Sequence, residues 1–324
     1  MSARVGAPGM SAIRYVLAES VQSVRELAAA GQLESDAHTL ETFGFAHVHV
    51  ALSETPFELA LRASQAVLHD AGVDPDEIGL LLYAGTPSVA FAPHGDHGGA
   101  AKIVGTTERF RYPGTRLQYE LGLGNAATVA VDQLACTSLL SAVRIARAIC
   151  LSEEVEHVLC VSAEFFPGSA GREAIYNCTS DAACAVLVSR SSVRNQVVAC
   201  AHVTKGYYWD GDAMRNEIVA AYFPTARHVM AQAVARAGWQ PADVRWVMPH
   251  NVSARSWDIL LGLSGLPNAT VWSGNIARVG HTLAGDNFIN LHDAVESGDV
   301  QPGDRILLFA FGYGAHWTAL AVEA

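Results

Sequence analysis

Twice in this chain a helix stops at an Ala-Gly pair and hands over, through a proline turn, to an apolar strand. AVLHDAGVDPDEIGLLLYAG begins at Ala66 and AVARAGWQPADVRWVMPHN at Ala233. Each has a proline three residues after the glycine, then an acidic residue and a β-branched strand start. A second pair follows in the same order: the helix after Cys136 leads into strand Val155–Ser162, and the helix around Phe288–Glu296 into strand Arg305–Phe311. Turn chemistry produces one such match by chance, whereas two in the same order imply a duplicated βα core. Alternating strands and helices predict an α/β fold with mixed or parallel sheets covered by helices on both faces. With 324 residues, 50% hydrophobic and 16% charged, the chain is long enough for two such halves, expected at residues 1–200 and 201–324.

The first half concentrates its chemistry in VAVDQLACTSLLSAVRIARAI, residues 129–149. A β-rich run breaks at Cys136, after which Leu139, Ala142, Val143, Ala146 and Ile149 recur at helical spacing. A thiol at a helix start lies among unpaired N–H groups and the positive dipole end. These favour a thiolate and also hold the oxygen of a carbonyl under attack. The plainer reading is a structural core cysteine.

A formal charge of −11 argues against nucleic acid as the main partner. The apolar runs Gly79–Ala84 and Ile306–Phe311 are too short for a membrane span, and Met1–Gly9 lacks the build of a signal peptide, so a cytoplasmic protein is expected. Six cysteines with no C-x-x-C pair fit reduced core thiols. Phe91–Tyr119, rich in Gly, Pro, His and Arg, is too long for an ordinary connection and is expected to shape a substrate tunnel or a dimer contact. Within it His94, Asp96 and His97 have no further ligand at recognisable spacing, so a polar loop without metal is expected. Arg109, Arg111 and Arg116 form either a basic patch for an acidic carrier protein or ordinary solvated arginines.

Four loops follow strands: the one holding Cys136, Pro249-His250-Asn251, the run from Gly274 to Asp286, and Gly312-Tyr313-Gly314. In layered α/β folds such loops share a crevice at the carboxyl ends of the strands. A thiol, two imidazoles (His250 and His281), a carboxylate (Asp286) and a glycine-flanked amide would then face one another, the equipment of acyl transfer through a thioester. Each has a plainer role too: Asp286 as a helix cap, Gly312 and Gly314 as a tight turn.

From about Ser53 onward the chain resembles the ketoacyl-ACP synthase III (FabH-like) group of the thiolase superfamily, on DQLACTSLLSAV, WVMPHN and GDRILLFAFGYGAHWTALAVEA. The resemblance implies a five-layered αβαβα sandwich of two similar halves, a homodimer, and an acyl carrier protein or coenzyme A thioester as substrate, with no cofactor. It implies Cys136 as the acylated nucleophile, His250 as general base, and the backbone N–H groups of Cys136 and Tyr313 as an oxyanion hole. Substrate contacts would fall at Asn251, Ser253, Gly312 and Gly314. Two positions depart from the group: Gly280-His281-Thr282 stands where it has Gly-Asn-Thr, and Ser253 where it usually has Asn. With Asp286 five residues on, the pattern resembles a natural-product branch that acylates hydroxyl or amine groups with a Cys-His-Asp set.

An asparagine at the His281 position would donate to the enolate left when a malonyl thioester loses carbon dioxide. An aspartate there would repel the enolate, and beside His250 would instead orient the imidazole toward an alcohol or amine. The expected activity is acyl transfer to a heteroatom of a small-molecule acceptor. Its rivals are decarboxylative condensation and a non-catalytic partner subunit of a heteromeric synthase.

Overall fold

The computed structural model describes residues 6–85, 112–152, 155–166, 171–211 and 213–324. The first half runs β1 (Gly9–Leu17), β2 (Ser20–Ser23), α1 (Val24–Ala29), α2 (Ala37–Thr42), β3 (His47–Val50), α3 (Pro56–Ala71), β4 (Ile78–Ala84), α4 (Pro113–Glu120), β5 (Ala127–Val131), α5 (Ser138–Ser152), β6 (His157–Glu164), β7 (Glu173–Ala174), β8 (Asn177–Cys178) and β9 (Ala182–Ser189). The second runs β10 (Gln196–Thr204), α6 (Arg215–Ala237), β11 (Val244–Pro249), α7 (Ala254–Ser264), β12 (Thr270–Val271), α8 (Gly274–Val279), α9 (Asp286–Glu296), β13 (Arg305–Gly312) and β14 (His316–Glu323).

The duplication predicted from the repeat is visible in strand order. The first half orders its strands β1-β9-β6-β4-β5 and the second β10-β14-β13-β11-β12. From the β1 and β10 ends, both read antiparallel, antiparallel, parallel, parallel. The two sheets meet at one register pair, Gly9 with Gln196. A division at residue 200 would cut β10, and the hand-over between the halves lies in residues 190–195.

Helix α3 lies on the outer face of the first sheet and α6 on that of the second, while α5 and α9 lie between the sheets and touch both. The apolar cores follow this layering, with one on each outer side and a third in the middle. The result is the five-layered αβαβα sandwich. Its helices end where the repeat requires: α3 is capped by Thr55 in a reciprocal box with Glu58 and stops at Gly72 with φ 61°, and α6 stops at Gly238 with φ 72°. In α5, Ser138 to Val143 are all buried, as expected of a helix flanked by a sheet on each side. Ala135–Ser152 is thus long and apolar enough to cross a membrane by length and composition, yet it is core of the central layer.

Asp36 caps α2, its carboxylate accepting from the Thr39 N–H. The insertion Phe91–Tyr119 ends in a helix, α4, opened by Pro113, and there Arg116 lies over the Phe57 ring at 3.9 Å and pairs with Glu120. His94, Asp96, His97, Arg109 and Arg111 lie outside the described residues.

Candidate active site

Between β5 and α5 the chain makes a tight elbow. Gln133 and Ala135 both take positive φ, 63° and 45°, and the short turn Ala135–Thr137 leads into α5. Left-handed backbone at a residue with a Cβ costs roughly 1–3 kcal/mol and persists only where surrounding contacts hold it. Here the Thr137 N–H and hydroxyl both donate to the Leu134 carbonyl, at 3.1 and 2.8 Å. Cys136 is buried at this elbow, in front of α5 as expected.

The glycine turn packs directly on it. A Cβ at Gly312 would collide with the Leu134 carbonyl and lie 3.3 Å from the Cys136 nitrogen, so only glycine permits the approach. Gly314 follows with φ 84°, closing the hairpin from β13 to β14. Tyr313 sits between the two glycines, with its ring against Gly211.

Cys136 Sγ lies 3.3 Å from His281 Nε2, and His281 Nδ1 lies 2.5 Å from Asp286 Oδ2. Thiol, imidazole and carboxylate thus form a line. The sequence pattern sets Asp286 beside His250; in the fold the carboxylate is on His281 instead. The reason is local: the loop between His281 and α9 folds back, so that the first residue of α9 meets the histidine five residues before it. The Thr282 N–H and hydroxyl hold Oδ1 at 2.6 and 2.7 Å, and the Asn251 N–H holds Oδ2 at 2.6 Å. Asp286 is not the cap of α9, a position Gly285 fills. The His281 backbone is clamped between Cys178 and Ser180, donating to the first and accepting from the second at 2.8 and 2.9 Å.

The two histidines are opposites electrostatically. Burial alone lowers the pKa of His281, but the Asp286 charge and the Cys136 sulfur outweigh it and hold the imidazole well above its ordinary value. Burial pushes His250 down to about 3, the neighbouring His281 adds to this, and Asp286 and the Phe309 backbone oppose it only weakly. His250 is a neutral imidazole packed against Trp257 and Phe309, its ring centroid 6.1 Å from that of His281, and its Nδ1 has no hydrogen-bond partner among the described residues. The remaining thiols are inert by comparison. Burial raises Cys150 to about 11 and Cys178 to about 12, and raises Cys160, Cys184 and Cys200 above their ordinary value.

Asn251, expected at the substrate, is fully buried and satisfied by protein: its Nδ2 donates to the Gly280 carbonyl at 2.9 Å and its Oδ1 accepts from Asn290 at 2.8 Å. It braces the His281 loop. Ser253 precedes α7 without capping it, its N–H held by Asn177. Sequence reasoning missed Thr282, Asn287 and Asn290. The two asparagines tie α9 to the carbonyls of Met248, Phe309 and Pro249 at the ends of β11 and β13. Their signal was present, as amides spaced three apart on a helix otherwise patterned for a core.

Residues 234–324 match the family described as 3-oxoacyl-[acyl-carrier-protein (ACP)] synthase III C terminal. A beta-ketoacyl-[acyl-carrier-protein] synthase III of Aquifex aeolicus is 26% identical over 292 residues, covering 86% of this chain and 88% of that protein. Solved structures share the fold. The crystal structure of 3-oxoacyl-[acyl-carrier-protein] synthase III from Aquifex aeolicus VF5 gives a TM-score of 0.81 at 22% identity, covering 98% of this chain and 100% of the other. ChlB3, described as an acyltransferase, gives 0.81 at 21% identity, covering 98% of both. Residues 234–324 thus match the C-terminal domain of 3-oxoacyl-[acyl-carrier-protein] synthases III, most of the chain is similar to beta-ketoacyl-[acyl-carrier-protein] synthases III, and the five-layered fold is shared with their solved structures.

Proposed function

We propose that this protein is an acyltransferase that takes an acyl group from an acyl carrier protein or coenzyme A thioester onto Cys136 and passes it to a hydroxyl or amine of a small acceptor, in natural-product biosynthesis. The observation that carries this reading is the line Cys136–His281–Asp286. His281 Nε2 takes the thiol proton as Sγ attacks the thioester carbonyl. The oxyanion is received by the N–H groups of Cys136 and Tyr313, and the donor thiol leaves with the proton. In the second half His281 removes the proton from the acceptor, whose oxygen or nitrogen bonds to the acyl carbon while the bond to Cys136 breaks. Asp286 stabilises the imidazolium formed in both halves, the role of the carboxylate in a triad. His250, neutral and without a carboxylate, serves as a hydrogen-bonding group beside the acyl carbon rather than as the base.

Thioester exchange of this kind needs no metal or redox cofactor, and six free cysteines suit a reducing cytoplasm. ChlB3 carries the name acyltransferase, which agrees with this reading. The relative named synthase III agrees with the rival, condensation with a malonyl thioester. One observation favours that rival: two imidazoles lie at one site, and both can donate to an enolate. Asp286 does not oppose it as the sequence implied, because its oxygens are turned away, onto His281, Thr282 and Asn251.

Intact-mass measurement after incubation with a panel of acyl thioesters tests the proposal. A single acyl adduct is expected, mapping to Cys136 and absent from Cys136→Ala. The loaded enzyme is then offered alcohols and amines, or malonyl-ACP with carbon dioxide followed. Discharge only by malonyl-ACP with carbon dioxide release would establish condensation, and an adduct that survives Cys136→Ala would remove Cys136 as the nucleophile.

A further inference from the structure

His316 opens β14, paired with Gly312 across the hairpin and with Thr204 on β10. Along β14, Leu320 and Val322 belong to the central core, whereas Trp317, Ala319 and Ala321 belong to the outer one. Strand alternation therefore turns His316 toward the central layer, where α5 begins. Its Nδ1 lies 2.8 Å from the Thr204 hydroxyl. On the other side, Nε2 packs on Gly314, where a Cβ would stand 2.9 Å away, and the ring lies against the backbone of Gln133 in the nucleophile elbow. Lys205 adds a second tie, its N–H donating to the Ala315 carbonyl at 2.9 Å.

The two segments that His316 touches are the two that carry the backbone N–H groups of the reaction proposed above, on which this inference rests. One is the elbow with Gln133, Ala135 and Cys136, the other the turn Gly312 to Ala315. Both hold non-glycine residues at positive φ, Gln133 and Ala135 in the first and Ala315 in the second. Neither conformation holds by itself. We propose that His316 is a positioning residue: its imidazole, fixed by Thr204, wedges between the glycine turn and the elbow and sets the spacing of the Cys136 and Tyr313 N–H groups that receive the oxyanion. A hydroxyl donating to Nδ1 leaves the proton on Nε2, toward the Gln133 carbonyl, so a neutral ring serves. Burial, which lowers the His316 pKa, favours that form.

An oxyanion hole assists attack on a thioester but contributes nothing to alkylation of a thiol by iodoacetamide. The full-length protein and its His316→Ala and His316→Gln variants are compared in both reactions, with an acyl-CoA that loads the wild type. Removing a whole oxyanion donor costs on the order of 10²–10³ in rate; misplacing one in His316→Ala is expected to slow acylation by about 10-fold or more. Alkylation of Cys136 should stay within about 2-fold on the same scale. His316→Gln, which can donate toward Gln133 and accept from Thr204, should recover most of the acylation rate. Acylation of His316→Ala at the wild-type rate, alkylation that falls in step with acylation, or a Gln variant no better than Ala would each overturn the positioning role while leaving acyl transfer intact. A wild-type protein that no thioester acylates would overturn both.

Discussion

Asp286 accepts from the His281 ring, the Thr282 N–H and hydroxyl, and the Asn251 N–H. Asp286→Asn therefore does two things. It removes the charge that supports His281 as a base, and it points an amide donor at groups that are themselves donors. Transfer to the acceptor is expected to slow by roughly 10²–10⁴-fold with acyl-Cys136 accumulating, as rapid-quench intact mass would record. Stability should also fall, by about 1–3 kcal/mol for the buried donors left unpaired. His250 calls for a different experiment. In the fold it stays neutral down to about pH 3, whereas in the unfolded chain it protonates near its ordinary value of about 6.5. The unfolded state binds more protons in that window, so the contribution of His250 is fully present above about pH 6.5 and lost as pH falls toward 3. Because its Nδ1 has no partner to orphan, His250→Asn should melt closer to wild type at pH 4.5 than at pH 7. A wild-type melting temperature that stays flat between these values would contradict it. His281, with a raised pKa, contributes with the opposite sign: fully below its unfolded value, and less as pH rises through the folded one.

At the scale of elements, the site is a meeting of turns held by close backbone contact. Gly312 lets β13 end against the Leu134 carbonyl, and Gly312→Ala has to push the two apart. Overpacking of this kind costs typically about 1–3 kcal/mol, and acylation of Cys136 should fall far more than the melting temperature alone explains. A Gly312→Ala variant that loads at the wild-type rate would show that the elbow and the glycine turn need not touch. Helix α9 supports the same region from the other side. Asn287 and Asn290 bind the carbonyls at the ends of β11 and β13, which are also the strands that lead into His250 and the glycine turn.

Across the described residues, the two five-stranded halves enclose one central core and each carries another on its outer side, with β12 and β5 as the edge strands. β5 ends the first sheet, and its Ala127, Val129 and Ala130 are exposed, with Val129 at 48%. An apolar open edge is a template for pairing, and natural chains usually cover it. Light scattering is expected to give the mass of a dimer, and Val129→Lys to shift it toward monomer. A wild-type monomer at micromolar concentration would count against this use of β5.

The sequence determined the architecture and the inventory. Ala-Gly helix stops and strand starts are local signals, and their repetition at Ala66 and Ala233 was enough to predict two halves that the strand orders then repeat. Cys136 before a helical period, and Gly312 and Gly314 around Tyr313, were legible for the same reason, since elbows and turns are written in neighbouring residues. Pairing was decided elsewhere. Sequence spacing put His250, His281 and Asp286 in one crevice, but which imidazole meets the carboxylate depends on how the loop before α9 folds and on which donors reach Asp286. One of those donors, the Asn251 N–H, comes from a strand end 35 residues away. The fold separated the two histidines as well: burial holds His250 neutral, whereas at His281 the Asp286 charge and the Cys136 sulfur outweigh burial, and neither burial nor that pairing exists until the layers have packed.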